Sequence, residues 1–237
     1  MPTSLARTPR SVLLTAVLAA VVAFGAFGAV YVLRPKPDIV GGSAAEPAAG
    51  PAIAPVSCGR GPCRKLAAMT VGGQPVELLA DAAGDNGRVR IGPEPGTVLD
   101  LTIGQLGLRL DANSLRCVDG TNPACLVRGA GDRGAYGELL IASAGGWVSA
   151  GKPYFSDAAT LALDDVNADG KPDLVVVRHV CPGSESGTPQ CQAAPVLAEV
   201  YDQTSRLLGC TKKVTSPSQL RGWPEIKLIR SDLRACP

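Results

Sequence analysis

The stretch Asp165-Val166-Asn167-Ala168-Asp169-Gly170-Lys171-Pro172-Asp173 sets an oxygen-bearing side chain at every second position, turns at a glycine and closes on a carboxylate. Hard oxygen donors at alternating positions, with one backbone carbonyl among them, suit the flexible six- or seven-coordinate shell of Ca²⁺. The reading assigns side-chain ligands to Asp165, Asn167 and Asp169, a backbone carbonyl to Lys171 and the last carboxylate to Asp173. Gly170 is the residue free to adopt the left-handed conformation that the bend needs. Without an ion, three carboxylates in so short a stretch repel one another. The competing reading is a polar turn between two strands that holds no metal. An EF-hand requires a glutamate at the twelfth position and helices on both sides; here that position is Val176, inside a β-branched run. Dockerin-like loops fail for the same reason.

The flanks fit strands. Leu161-Ala162-Leu163 alternates into the loop, and Asp173-Leu-Val-Val-Val177 leaves it as a buried strand. From Cys58 onward, short apolar runs recur about every eight to twelve residues between turn signals, the pattern of an all-β domain. Strands are expected at Val76–Leu79, Arg88–Ile91, Thr97–Ile103, Leu106–Leu110, Leu115–Val118, Ala124–Arg128, Gly137–Ser143 and Trp147–Ala150. Helix-like alternatives are confined to Arg60–Met69 and Pro217–Arg221. Aromatic residues are only 4% of the chain, so the core must be built from Leu, Val, Ile and Ala.

All 8 cysteines follow residue 57, and none forms a Cys-x-x-Cys pair. That argues against zinc ribbons and for disulfides in an oxidising compartment. Spacing suggests local staples: Cys58 with Cys63, Cys117 with Cys125, Cys181 with Cys191, and Cys210 with Cys236 by elimination. Eight cysteines admit about 105 pairings, so this is one choice among many.

The N-terminus frames the domain. Residues 1–11 are read as cytoplasmic and 12–33 as an uncharged transmembrane anchor; a helix of that length spans roughly 33 Å. Arg7 and Arg10 keep the N-terminus inside. A cleaved signal peptide is the alternative, with Ala26-Phe27-Gly28 as its cleavage site, although that site lies within the apolar run. Residues 34–57, rich in Pro, Ala and Gly, read as an extended linker, and 58–237 as the extracytoplasmic domain. The segment before Cys58 carries the whole formal charge of +2, so the domain is neutral and offers nucleic acid no electrostatic footprint.

From residue 136 to about 210 the chain resembles the FG-GAP or VCBS repeat of integrin-α-like β-propellers and bacterial surface proteins. The likeness rests on Tyr136-Gly-Glu-Leu-Leu-Ile-Ala-Ser143, Trp147, Tyr154-Phe155, the Asp165–Asp173 loop, Val196–Tyr201 and Arg206–Gly209. It departs where Ala168 replaces a glycine and Trp147 a phenylalanine, and it contains one full calcium loop. The resemblance implies Ca²⁺ held by Asp165, Asn167, Asp169, Lys171 and Asp173. A closed propeller needs at least about four blades, so the expected fold is a small or degenerate β-propeller-like repeat, with a β-sandwich as the alternative.

Catalytic patterns are sparse. His179 is the sole imidazole and lacks a Gly-x-Ser-x-Gly elbow. Asp164 and Asp165 are adjacent, so a strand would point them to opposite faces. The basic residues Lys212, Lys213, Arg221, Lys227, Arg230 and Arg234 read as a solvated rim, with an anionic-polymer contact as the alternative. The expected function is a non-enzymatic, membrane-anchored binding or adhesion module with a structural calcium ion and a cell-envelope protein or polysaccharide as partner. An envelope hydrolase using exposed carboxylates and a ligand-free scaffold are the alternatives.

Overall fold

A computed structural model describes residues 56–181, 183 and 186–237. The expected cytoplasmic segment, the transmembrane anchor and the linker up to residue 55 lie outside the described residues. Among the described residues no helix is long and apolar enough to cross a membrane.

Two glycines show how the first sheet begins. Gly72 and Gly73 both have positive φ, 57° and 72°, as a two-residue hairpin turn demands. They join β3 (Arg64–Val71) to β4 (Gln74–Ala80). The helix-like alternative at Arg60–Met69 therefore gives way to a strand, because the tight turn hands these residues a pairing partner. Before them lies a short hairpin, β1 (Ser57–Cys58) and β2 (Gly61–Pro62). The first sheet continues through β5 (Arg88–Ile91) and β6 (Thr97–Asp100) in the order β3-β4-β5-β6.

The expected strand at Leu106–Leu110 is absent. A 3₁₀ turn at Thr102–Leu106 ends on left-handed Gly107, and only Arg109 bridges to Ala130. Leu108 and Leu110 still enter the core. Their alternation reflects burial without a ladder.

The second sheet comprises β7 (Leu115–Val118), β8 (Ala124–Gly131), β9 (Gly134–Ser143) and β10 (Gly146–Ser149), with β11 (Tyr154–Ser156) also paired to β9. β10 and β11 take successive halves of that strand, Ser143–Leu140 and Gly137–Ala135. The third sheet runs β12 (Leu161–Asp164), β13 (Asp173–His179), β14 (Val196–Tyr201) and β15 (Leu207–Cys210). The fold is thus all-β, made of several antiparallel sheets, none of them closed. The first strands are those that approach one another: β7 contacts both β3 and β12.

Alternation along the central strands explains how the sheets share a core. On β8, Cys125 and Val127 pack into a cluster with Leu78, Val89 and Ile103, whereas Leu126 faces Leu161, Leu174 and Val176. On β13, Val175 and Val177 turn the other way, toward Ile226 and Leu228 of the C-terminal segment. Strands buried on both faces read as unbroken apolar runs, as Leu174–Val177 does.

All four expected disulfides form. Cys58–Cys63 closes the β1–β2 hairpin, and Cys117–Cys125 joins directly paired residues of β7 and β8. Cys181–Cys191 closes the connection from β13 to β14. Cys210–Cys236 ties the C-terminus to β15, where Arg234 and Cys210 also exchange backbone hydrogen bonds of 2.9 Å. Chain-entropy arguments make the cross-link enclosing the longer loop the more stabilising. Replacing Cys210 and Cys236 with serine should cost roughly 1 kcal/mol more than replacing Cys117 and Cys125, whose loop is far shorter. Urea denaturation of the two double variants measures this; equal losses would contradict it.

Candidate metal centre

The Asp-rich stretch is the connection between β12 and β13, and Asp164 pairs with Asp173 at its base. Two residues within it have positive φ, Ala168 (58°) and Gly170 (79°). The expected bend at Gly170 is present, and Ala168 is an additional left-handed residue.

Inside the loop the side chains turn toward the backbone. Asp165 Oδ1 accepts from the Asp169 amide at 3.1 Å and Oδ2 from the Gly170 amide at 2.9 Å. Asn167 Oδ1 accepts from the Asp169 amide at 2.9 Å, and Asp169 Oδ1 from the Lys171 amide at 2.9 Å. Asp173 is buried, 1% exposed, and its Oδ2 accepts from the Val166 amide at 3.1 Å. Among the described residues, no lysine, arginine or histidine forms an ion pair with Asp165, Asp169 or Asp173. Three carboxylates thus share one loop in which their protein partners are backbone amides and an asparagine; Asp173 is buried, Asp165 half-buried and Asp169 exposed. Burial, reinforced by the charges of Asp169 and Asp165, pushes Asp173 up to about 6, against the pull of the Val166 and Asn167 amides.

The donor set is oxygen throughout, as calcium requires. The three carboxylates do not gather as tightly as a closed shell: among the described residues, the one carboxylate, thiol or imidazole group converging within 4.8 Å is Asp157, Cys181 and Cys191. Those two sulfurs are bonded to each other, which leaves them without thiolate charge for a metal.

The loop is anchored from outside. The Thr121 amide donates to the Gly170 carbonyl at 2.7 Å. A side chain on Gly120 would place its Cβ 2.4 Å from that carbonyl oxygen, so the approach requires glycine. Gly120 and Thr121 belong to the turn between β7 and β8, which attaches the loop to the second sheet.

The sequence overlooked Asp157, just after β11. Its carboxylate accepts from the His179 amide at 2.8 Å and the Ser186 hydroxyl at 2.6 Å, with His179 Nδ1 at 3.3 Å. Burial alone would raise it, but these donors and the imidazole hold it below the usual carboxylate range. His179 is almost enclosed, more so than a surface histidine. The Ser186 hydroxyl is spent on the carboxylate, so the three groups lack the serine-to-imidazole bond of a nucleophilic triad. A proline- and cysteine-containing connection gave no periodic signal that Asp157 and His179 would meet. Asp164 pairs with Lys227 at 3.4 Å, and Asp165 belongs to the loop, so the two form no catalytic carboxylate pair.

Two outcomes follow. In chelator, the folded state should hold the Asp173 proton more tightly than the unfolded chain between pH 3.8 and about 6. Stability contributed by this group is therefore present at the acid end and lost as pH rises through that window. Asp173→Asn should flatten the slope relative to the unmodified chain, as urea melts at several pH values would read. Gly120→Ala should cost roughly 1–3 kcal/mol through overpacking against the Gly170 carbonyl; an unchanged melting temperature would show that the loop is not held there. Comparison with known proteins finds no matching family model, no matching curated protein and no matching solved structure.

Proposed function

We propose that the chain is a membrane-anchored, extracytoplasmic binding module whose Asp165–Asp173 loop holds a structural calcium ion. The observation that carries the calcium reading is the loop's unmatched charge: three carboxylates, one of them buried, without a basic partner among the described residues. Asp165, Asn167, Asp169 and Asp173 would supply side-chain oxygens and Lys171 its carbonyl. The ion would neutralise the loop where it meets the β7–β8 turn. In this reading the two four-stranded sheets and the five-stranded one are blades of a small β-propeller-like repeat, consistent with the resemblance to FG-GAP or VCBS repeats and with the approach of β3 and β12 to β7. The apolar segment at residues 12–33 supplies the anchor and residues 34–57 the tether, which places the domain in the cell envelope.

Binding rather than catalysis is favoured by the site around the sole imidazole. His179 and Ser186 both address Asp157 instead of forming a relay. The four disulfides agree with an oxidising compartment.

Calcium at about a hundred times its dissociation constant would add about 2.7 kcal/mol of stability. For a domain of this size that is a rise of roughly 5–10 °C in melting temperature. The full-length chain in detergent should show such a rise between chelator and calcium, and Asp169→Ala should abolish the difference. No calcium-dependent rise in the unmodified chain would overturn the metal reading. Comparing calcium-induced shifts cancels any loss that Asp169→Ala causes by itself, since Asp169 also accepts the Lys171 amide.

A further inference from the structure

A cleft of about 430 Å³ opens between the second and third sheets, beside their first strands β7 and β12. Its lining includes Arg116 of β7, Arg128 of β8, Leu161 and Leu163 of β12, and Trp223 and Glu225 of the C-terminal segment. The two arginines are the anomaly. Arg128 is half-buried, and its guanidinium donates to two neutral acceptors, the carbonyls of Leu161 at 2.9 Å and Asn113 at 3.4 Å. Arg116 donates only to the carbonyl of its chain neighbour Leu115, at 3.1 Å. Among the described residues neither forms an ion pair, whereas nearby Lys227 is matched by Asp164. Burial pushes the Arg128 guanidinium below its ordinary range and the charge of Arg116 pushes it further, while Glu225 and Asp111 act against this.

Two neighbouring guanidinium groups in a cleft, one partly desolvated and neither in an ion pair among the described residues, are stabilised by an arriving oxyanion. The carbonyl contacts fix the plane of Arg128, so its remaining N–H groups are already ordered for a carboxylate fork. The C-terminal segment adds a second kind of chemistry. Trp223 is 43% exposed, and its indole N–H makes no hydrogen bond among the described residues. A large, partly exposed aromatic side chain next to polar groups suits a ring that is apolar on its face and polar at its edge. Glu225 offers an acceptor for hydroxyl groups. Simple inorganic anions would use the arginines and leave the tryptophan idle.

We propose that this cleft binds an acidic saccharide, with the sugar carboxylate on Arg116 and Arg128, a pyranose face on Trp223 and ring hydroxyls on Glu225. The assignment gives the binding-module reading a ligand class and rests on that reading for its biological setting, while the cleft itself shares no residue with the calcium loop.

Calorimetric titration of the oxidised full-length chain in detergent tests it, with trigalacturonate, its carboxyl-reduced counterpart and inorganic phosphate as probes. Trigalacturonate should bind, and the reduced sugar should bind at least about tenfold more weakly, the effect of losing one charge-assisted hydrogen bond. Arg116→Gln and Trp223→Ala, at exposed positions, should each weaken trigalacturonate by about tenfold without shifting the melting temperature. Arg128→Lys should weaken it while retaining the charge, because the fork is lost. Failure of the folded, unmodified chain to bind trigalacturonate overturns the proposal. So does phosphate binding of equal strength that is indifferent to Trp223→Ala. Measuring the calcium-induced melting shift on the same sample separates the two readings: a shift without sugar binding rejects the cleft alone, and sugar binding without a shift supports the cleft and rejects the calcium loop alone.

Discussion

The turn between β7 and β8 binds all three sheets through a few backbone-scale contacts. Its Asp119 carboxylate receives the Gly72 amide from the first sheet at 2.6 Å, and its Thr121 amide meets the Gly170 carbonyl of the third. Its Asn122 carbonyl accepts from Gln203 Nε2, on the turn between β14 and β15, at 2.8 Å. Each sheet is small, and a hydrophobic core alone tolerates some sliding of one layer on another. Directional bonds at a single turn fix the sheets against one another, and Gly120 allows the turn's backbone to come that close to the Gly170 carbonyl. The Asp-rich loop sits on this hub, so a cation there would steady the junction of sheets as well as the loop.

Electrostatics gives that junction a second character. On one part of it three carboxylates stand without basic partners; on another, two arginines stand without acidic ones. The groups are not matched to each other, and the charges that could have cancelled are kept apart by β12 and its neighbours. Unmatched charge costs stability where it is desolvated, as at Asp173 and partly at Arg128, which makes such places the natural points for ions or ligands to enter the energetics. The neutral overall balance of the domain conceals this local separation.

Local chemistry made much of the architecture legible. Period-two alternation and turn residues located β5 and β7 at their observed boundaries and most other long strands within a few residues, because a half-buried strand writes its burial directly into its pattern. Nearest-neighbour cysteine pairing held because every bridge spans a short connection or a paired strand edge. The Asp-rich loop was visible for the same reason: all its contacts to itself are within a few residues. What stayed hidden depends on distant partners. β3 lacked a strong pattern until Gly72 and Gly73 folded it onto β4. β11 is three residues long and exists through its pairing with β9. Glu138 is a buried carboxylate that accepts from the Ile103 amide and the Ser149 hydroxyl. Nothing in its own strand distinguishes it from an outward-facing residue. Arg128, similarly, becomes unusual only when β12 arrives beside it.

The C-terminal segment carries one further implication. β15 is the last strand of its sheet, and an uncovered last strand offers its backbone to any extended chain that comes near. Here Arg234 occupies that position on Cys210, and the Cys210–Cys236 bridge holds it there. The protein therefore supplies its own blocking segment, and oxidation makes the block permanent. Without this bridge the segment at Arg234 would be held on β15 by its backbone hydrogen bonds alone, and that edge would lie more open to intermolecular strand addition, so the oxidation state of one cysteine pair also bears on whether copies of the chain stay separate.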